Sequence, residues 1–156
     1  MNKIIMPVVI IIAVLFIIVG LMGDNKSAED SAIITVNNSQ ELNDALAKGP
    51  VLVEIGSDTC PACVAQKPIM ADIANDYEGK AAVMYINTQE TRAIAASFNV
   101  YSIPDSFVIA ERTDNAYIYM GENGQTTTDR NKARFIGLTN KKTLTSVLDS
   151  AIEYRQ

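Results

Sequence analysis

Both cysteines of this chain fall inside four residues, Cys60-Pro61-Ala62-Cys63, directly behind the run Val51-Leu52-Val53-Glu54-Ile55. That run is too short and too β-branched for a helix and reads as a buried central strand. Residues after Cys63 carry apolar side chains at helical spacing, so the dithiol sits in a strand–turn–helix context. Cys60 would then stand at the helix start, where unpaired backbone N–H groups and the helix dipole favour a thiolate. Cys63 would lie one turn further in, within reach of anything bonded to Cys60. Three uses remain open for such a pair: a structural staple, a soft-metal site, or redox chemistry. A disulfide closing so short a loop constrains the unfolded chain little, which weakens the staple reading.

Composition narrows the options further. The 156 residues contain no His and no Trp, and the formal net charge is −5. Without His there is no Ser-His or Cys-His dyad and few ways to build a zinc site. An acidic balance argues against nucleic acid as partner. Residues 4–22 carry no charge, and about 20 apolar residues cross a bilayer core of roughly 30 Å. The exit, Leu21-Met22-Gly23-Asp24, offers no small-x-small cleavage pattern, so an uncleaved anchor is expected rather than a signal peptide. Lys3 precedes the span, and one lysine against three acids follows it up to Asp30, which directs the N-terminus inward and the remainder outside the cytoplasm. Residues 1–23 are thus read as a transmembrane anchor, 24–32 as a tether, and 33–156 as one folded domain.

Within that domain, Ile33–Val36 is a candidate edge strand, and Asn38-Ser39-Gln40-Glu41 opens a helix with a cap and a reciprocal acid that Gly49-Pro50 ends. The helix after the dithiol is expected to reach about residue 78 with Pro68 inside it. Ala81–Ile86 is a second apolar strand and Thr88–Phe98 a helix, which together predict βαβ units and parallel pairing. Tyr117–Met120 and Arg134–Ile136 are read as antiparallel strands, joined by a turn at Gly121–Gly124 and a polar excursion over Thr126–Lys132. Thr139–Tyr154 closes the chain as an amphipathic helix.

In content and order, residues Ile33 to Ile152 resemble the thioredoxin superfamily. Five positions carry the resemblance: Cys60 and Cys63 as the dithiol, Pro68 as the helix proline, Ile103-Pro104 as the cis-proline pair, and Glu54 as the buried acid. The resemblance implies an α/β fold of three layers, α/β/α, around a mixed sheet. It also implies a thiol-disulfide oxidoreductase that reduces or isomerises protein disulfides without a bound cofactor. Cys60 would attack, Cys63 would resolve, and Glu54, raised by burial, would accept the Cys63 proton. Ile103, Pro104 and Pro61 would meet an extended substrate segment. Its partners would be cysteine-containing extracytoplasmic proteins and a membrane protein supplying electrons. A Cu(I)-binding module and a redox-inactive adaptor of the same fold are the competing functions. Departures from the family pattern are Asp58-Thr59 where a tryptophan is usual, Asp105 after the cis-proline, no strand lysine opposite Glu54 (Val83 or Met84 falls there), and a longer 111–132 segment. Asp58 or Asp105, where it lies near Cys60, would disfavour the Cys60 thiolate by its negative charge and make the couple more reducing.

Overall fold

A computed structural model describes residues 33–156 apart from residue 115. The expected anchor over residues 4–22 and the tether at 24–32 lie outside the described residues. Among the described residues, no helix is long and apolar enough to cross a membrane.

Strand β1 (Ile34–Thr35) leads into helix α1 (Ser39–Lys48). Asn38 caps α1, its side-chain oxygen accepting from the amides of Gln40 and Glu41 at 3.0 and 3.1 Å. The Glu41 carboxylate accepts in return from the Asn37 amide and the Asn38 side chain. Buried Leu42 and Leu46 point to the core. Strand β2 (Val51–Gly56) follows and is buried at all six positions, as expected of a strand covered on both faces. Helix α2 (Pro61–Asp76) then runs unbroken through Pro68, and strand β3 (Ala82–Asn87) lies parallel to β2.

Helix α3 spans only Arg92–Ser97, shorter than the expected Thr88–Phe98. The reason is local. Asn87 gathers the amides of Gln89, Glu90 and Thr91 onto its side-chain and backbone oxygens, folding 87–91 into a turn. Strand β4 (Asp105–Arg112) is antiparallel to β2, and β5 (Tyr117–Met120), β6 (Thr126–Thr127) and β7 (Arg134–Ile136) complete the sheet. Both β5 and β7 are antiparallel, but each pairs with a different half of β4 rather than with the other. A short 3-10 turn, Arg130–Lys132, separates β6 from β7. Helix α4 (Lys141–Tyr154) starts on Asn140, whose side chain accepts from the Thr143 amide.

The order β1-β3-β2-β4-β5-β6 makes a mixed sheet with β2 inside it. Alternation along the strands sends side chains to two cores. Val51, Val53, Ile55, Met84, Phe107 and Ile109 pack with α1 and α3 on one face, and Leu52, Val83 and Val108 pack with α2 and α4 on the other. This is the three-layer α/β/α arrangement. Gln66, fully buried on α2, donates to the Thr139 carbonyl at 3.0 Å and accepts from its amide at 2.8 Å, tying α2 to the segment that leads into α4.

Candidate active site

The C-terminal ends of β2 and β3 and the N-terminus of α2 converge on the dithiol. Cys60 is the N-cap of α2, and its sulfur accepts from the Cys63 amide at 3.3 Å. Proline suits the next position, because the first-turn N–H it lacks would have no helical partner; Pro61 stands there and is exposed. Cys60 is partly exposed and Cys63 fully buried, both as free thiols. Burial, the hydrogen bond with Cys60 and the nearby negative groups push the Cys63 thiol up to about 12. At neutral pH it is therefore a thiol that needs a base before it can attack.

The Ile103–Pro104 peptide is cis. The Ile103 carbonyl lies 3.9 Å from the Cys60 sulfur, although the two residues are 43 apart in the chain. Pro104 is buried and Ile103 partly exposed. Gly137, at φ +86°, donates its amide to the Pro104 carbonyl at 2.8 Å, a left-handed conformation that glycine adopts without strain. Exposed apolar side chains flank this loop: Tyr101 at 75%, Leu138 at 57% and, one helical turn past Cys60, Val64 at 50%.

Glu54 lies on the α2 face of β2 and is 1% exposed; the register sets Tyr85 of β3 opposite it, not the expected Val83 or Met84, which pair with Leu52 and Val53. Burial raises its carboxyl to about 7, with the Lys67 ammonium pulling the other way. Its Oε1 has no hydrogen-bond partner. The cation near Glu54 thus comes not from the neighbouring strand but from α2. Lys67 is one residue before Pro68, and its Nζ also meets Asp58 at 2.5 Å and lies 5.2 Å from the centre of the Tyr85 ring.

Neither acid singled out beside the dithiol carries an unbalanced charge. Asp58 accepts from Lys67 and, at 3.0 Å, from Asn87, and the Lys67 hydrogen bond holds its carboxyl below the usual range. Asp105 is fully buried. Arg130 donates through Nη1 to both its oxygens at 3.0 and 2.9 Å, and Arg134 reaches it at 2.5 Å. Burial pushes the Asp105 carboxyl up while the Arg130 hydrogen bonds and both guanidinium charges oppose it. Arg130 also donates to the Phe98 carbonyl, and the Arg134 guanidinium sits 4.1 Å from the centre of the exposed Tyr101 ring. The long 111–132 segment therefore ends in a cation that docks under the cis-proline loop.

Sequence reasoning named Cys60, Cys63, Glu54, Pro61, Ile103 and Pro104, and the fold brings all six to one end of the sheet. It missed Lys67, Tyr85, Arg130 and Arg134. A buried aspartate with no neighbouring cation in sequence was the one available signal for the two arginines. Among the described residues, no group of three or more His, Cys, Asp or Glu side chains could hold a metal ion.

The family model described as Thioredoxin matches residues 33–134. Thioredoxin of Staphylococcus saprophyticus is 32% identical over 80 residues, covering 51% of this chain and 76% of that protein. The chloroplastic M-type thioredoxin of Zea mays is 26% identical over 128 residues, 82% of this chain and 66% of that one. Among solved structures, Trichomonas vaginalis thioredoxin superposes with a TM-score of 0.56 at 21% identity, over 81% of this chain and all of that one. A mutant thioredoxin of Halobacterium salinarum gives 0.58 at 20% identity, over 81% and 96%. At these identities the two structures speak for the fold.

Proposed function

The chain belongs to the thioredoxin family, and from that membership we propose that it is a thiol-disulfide oxidoreductase that reduces or isomerises disulfides in other proteins. The observation that carries this is the contact of the Cys60 sulfur with the cis-proline loop, with Cys63 buried behind it. A substrate strand lying along Ile103 and Pro104 would meet the Cys60 sulfur, with Pro61, Tyr101 and Leu138 as flanking contacts.

Cys60, as thiolate, attacks one substrate sulfur, and the other substrate sulfur leaves. Cys63 gives up its proton and attacks Cys60. The Cys60–Cys63 disulfide forms as the second substrate sulfur departs. Two electrons pass to the substrate, and no bound cofactor takes part. Glu54 suits the base, because a carboxyl near 7 is divided between its two forms at neutral pH. The reducing direction is favoured by the Pro-Ala spacer, which lacks an imidazole to stabilise a thiolate. A Cu(I) module would need both sulfurs deprotonated, a poor match for a Cys63 thiol raised to about 12.

The sequence of residues 4–22 supports placement of this domain outside the cytoplasm on a single span. There a membrane partner would return electrons to the dithiol, and the substrates would be cysteine-containing extracytoplasmic proteins. Trapping tests the core of the reading. Cys63→Ser should accumulate mixed disulfides through Cys60 that a reductant releases for identification. A Cys63→Ser protein that captures no more partner than Cys60→Ser/Cys63→Ser would sink it.

A further inference from the structure

One group beside the dithiol has no part in the chemistry described so far. Tyr85 is 7% exposed and its hydroxyl, like Oε1 of Glu54, is buried without a hydrogen-bond partner. A buried hydroxyl with no partner keeps the full cost of its lost hydration, so such a group calls for a role.

Three observations place it. Parallel pairing sets Tyr85 directly beside Glu54, on the face covered by α2. The ring leans along the sheet toward Gly56, where a side chain would collide with it: a Cβ there would stand 3.0 Å from Cε2, 3.1 Å from the hydroxyl and 3.2 Å from the Cys63 sulfur. Glycine at position 56 therefore leaves open a space that the Tyr85 hydroxyl and the Cys63 sulfur both border. Finally, a cavity of about 110 Å³ is lined by Glu54, Tyr85, Lys67, Met70, Ile33 and Thr35, which is room for a few waters at about 30 Å³ each. The charged and titratable groups facing Tyr85 are Glu54 from β2, Cys60, Cys63 and Lys67 from α2 and its cap, and Asp58 from the preceding turn.

We propose that Tyr85 is a proton-relay residue of the resolving step: its hydroxyl, bordering the same space over Gly56 as the Cys63 sulfur and sharing a cavity with Glu54, passes the Cys63 proton to the Glu54 carboxylate. The proposal rests on the oxidoreductase reading. The Cys63 proton moves to the Tyr85 oxygen as the Tyr85 proton moves to Glu54, directly or through a water in the cavity. The Cys63 sulfur then bonds to Cys60, the bond from Cys60 to the substrate sulfur breaks, and that sulfur leaves as a thiolate. Tyr85 ends unchanged, Glu54 protonated, the dithiol oxidised and the substrate reduced. Burial and the surrounding acids and thiols raise the Tyr85 hydroxyl, so it is a donor throughout the neutral range.

Stopped-flow reaction of the reduced full-length chain with 5,5′-dithiobis(2-nitrobenzoate) separates the steps. The first thionitrobenzoate reports attack by Cys60, and the second reports resolution by Cys63. In the wild type the second phase should quicken as pH rises through about 7, where Glu54 becomes a carboxylate. Tyr85→Phe should slow the second phase relative to the first about a hundredfold at neutral pH, the low end for loss of a positioned proton-transfer group. That inflection should disappear. Glu54→Gln should behave alike, and the double variant should be no slower than either single one, because the groups act in series. A Tyr85→Phe second phase at the wild-type rate overturns the proposal. So does a slowed phase that keeps the inflection and adds to Glu54→Gln, which marks a packing role. A wild type that never releases a second equivalent brings down the oxidoreductase reading itself.

Discussion

Glu54 shows how one side chain trades stability for chemistry. A carboxyl raised from 4.5 to about 7 is bound to its proton more tightly in the folded chain than in the unfolded one. Its contribution is fully present below the unfolded value and is lost as pH rises through about 7. At one tenfold step per 1.36 kcal/mol, the cost of keeping it ionised is ~3 kcal/mol at most. Glu54→Gln should therefore match the wild type in urea denaturation at pH 4 and exceed it at pH 8 by up to that amount. Equal midpoints at both pH values would show that Glu54 is not held as described. Gly56 is the complementary case. Gly56→Ala places a methyl within 3.2 Å of Tyr85 and Cys63, and overpacking of this kind costs about 1–3 kcal/mol. Denaturation should show that loss, together with slower release of the second thionitrobenzoate.

At the scale of elements, the cis-proline loop is held from two sides. Gly137 and β7 support the backbone after Pro104, and Arg130 and Arg134 converge on Asp105. Removing one partner of a buried ionic cluster leaves uncompensated charge and costs about 3–5 kcal/mol. Asp105→Asn should lower the unfolding free energy by that amount in urea denaturation and open the chain around Arg130 and Lys132 to trypsin. Unchanged stability and protease resistance would show that Asp105 does not hold the loop. The elements themselves were legible in sequence because caps, turn residues and apolar spacing are local. Asn38, Gly49-Pro50 and the β-branched Val51–Ile55 each declared a boundary or a type. The shortening of α3 was not legible, since helix periodicity over Thr88–Phe98 competes with capture of three amides by Asn87. The partner of β7 depends on how β4 shares its edge, which no local pattern encodes.

For the whole molecule, the acidic balance and the span expected over residues 4–22 give a prediction about location. Expressed in full, the chain should fractionate with membranes and resist carbonate extraction, with its folded domain open to protease added outside spheroplasts. Removal of residues 1–32 should release it to the soluble fraction with its dithiol reactivity retained. Recovery of the full chain in the soluble fraction would count against the anchor. By itself, the sequence determined the dithiol and its spacing, the two prolines, the buried acid and the order of strands and helices. Each of these is written in a few consecutive residues. Only the tertiary structure decided what surrounds Cys60 and Cys63: Lys67 beside Glu54, the Tyr85 hydroxyl against Gly56, and two arginines from beyond residue 129 balancing Asp105. Those contacts join residues distant in the chain, and sheet order and register, not local propensity, bring them together.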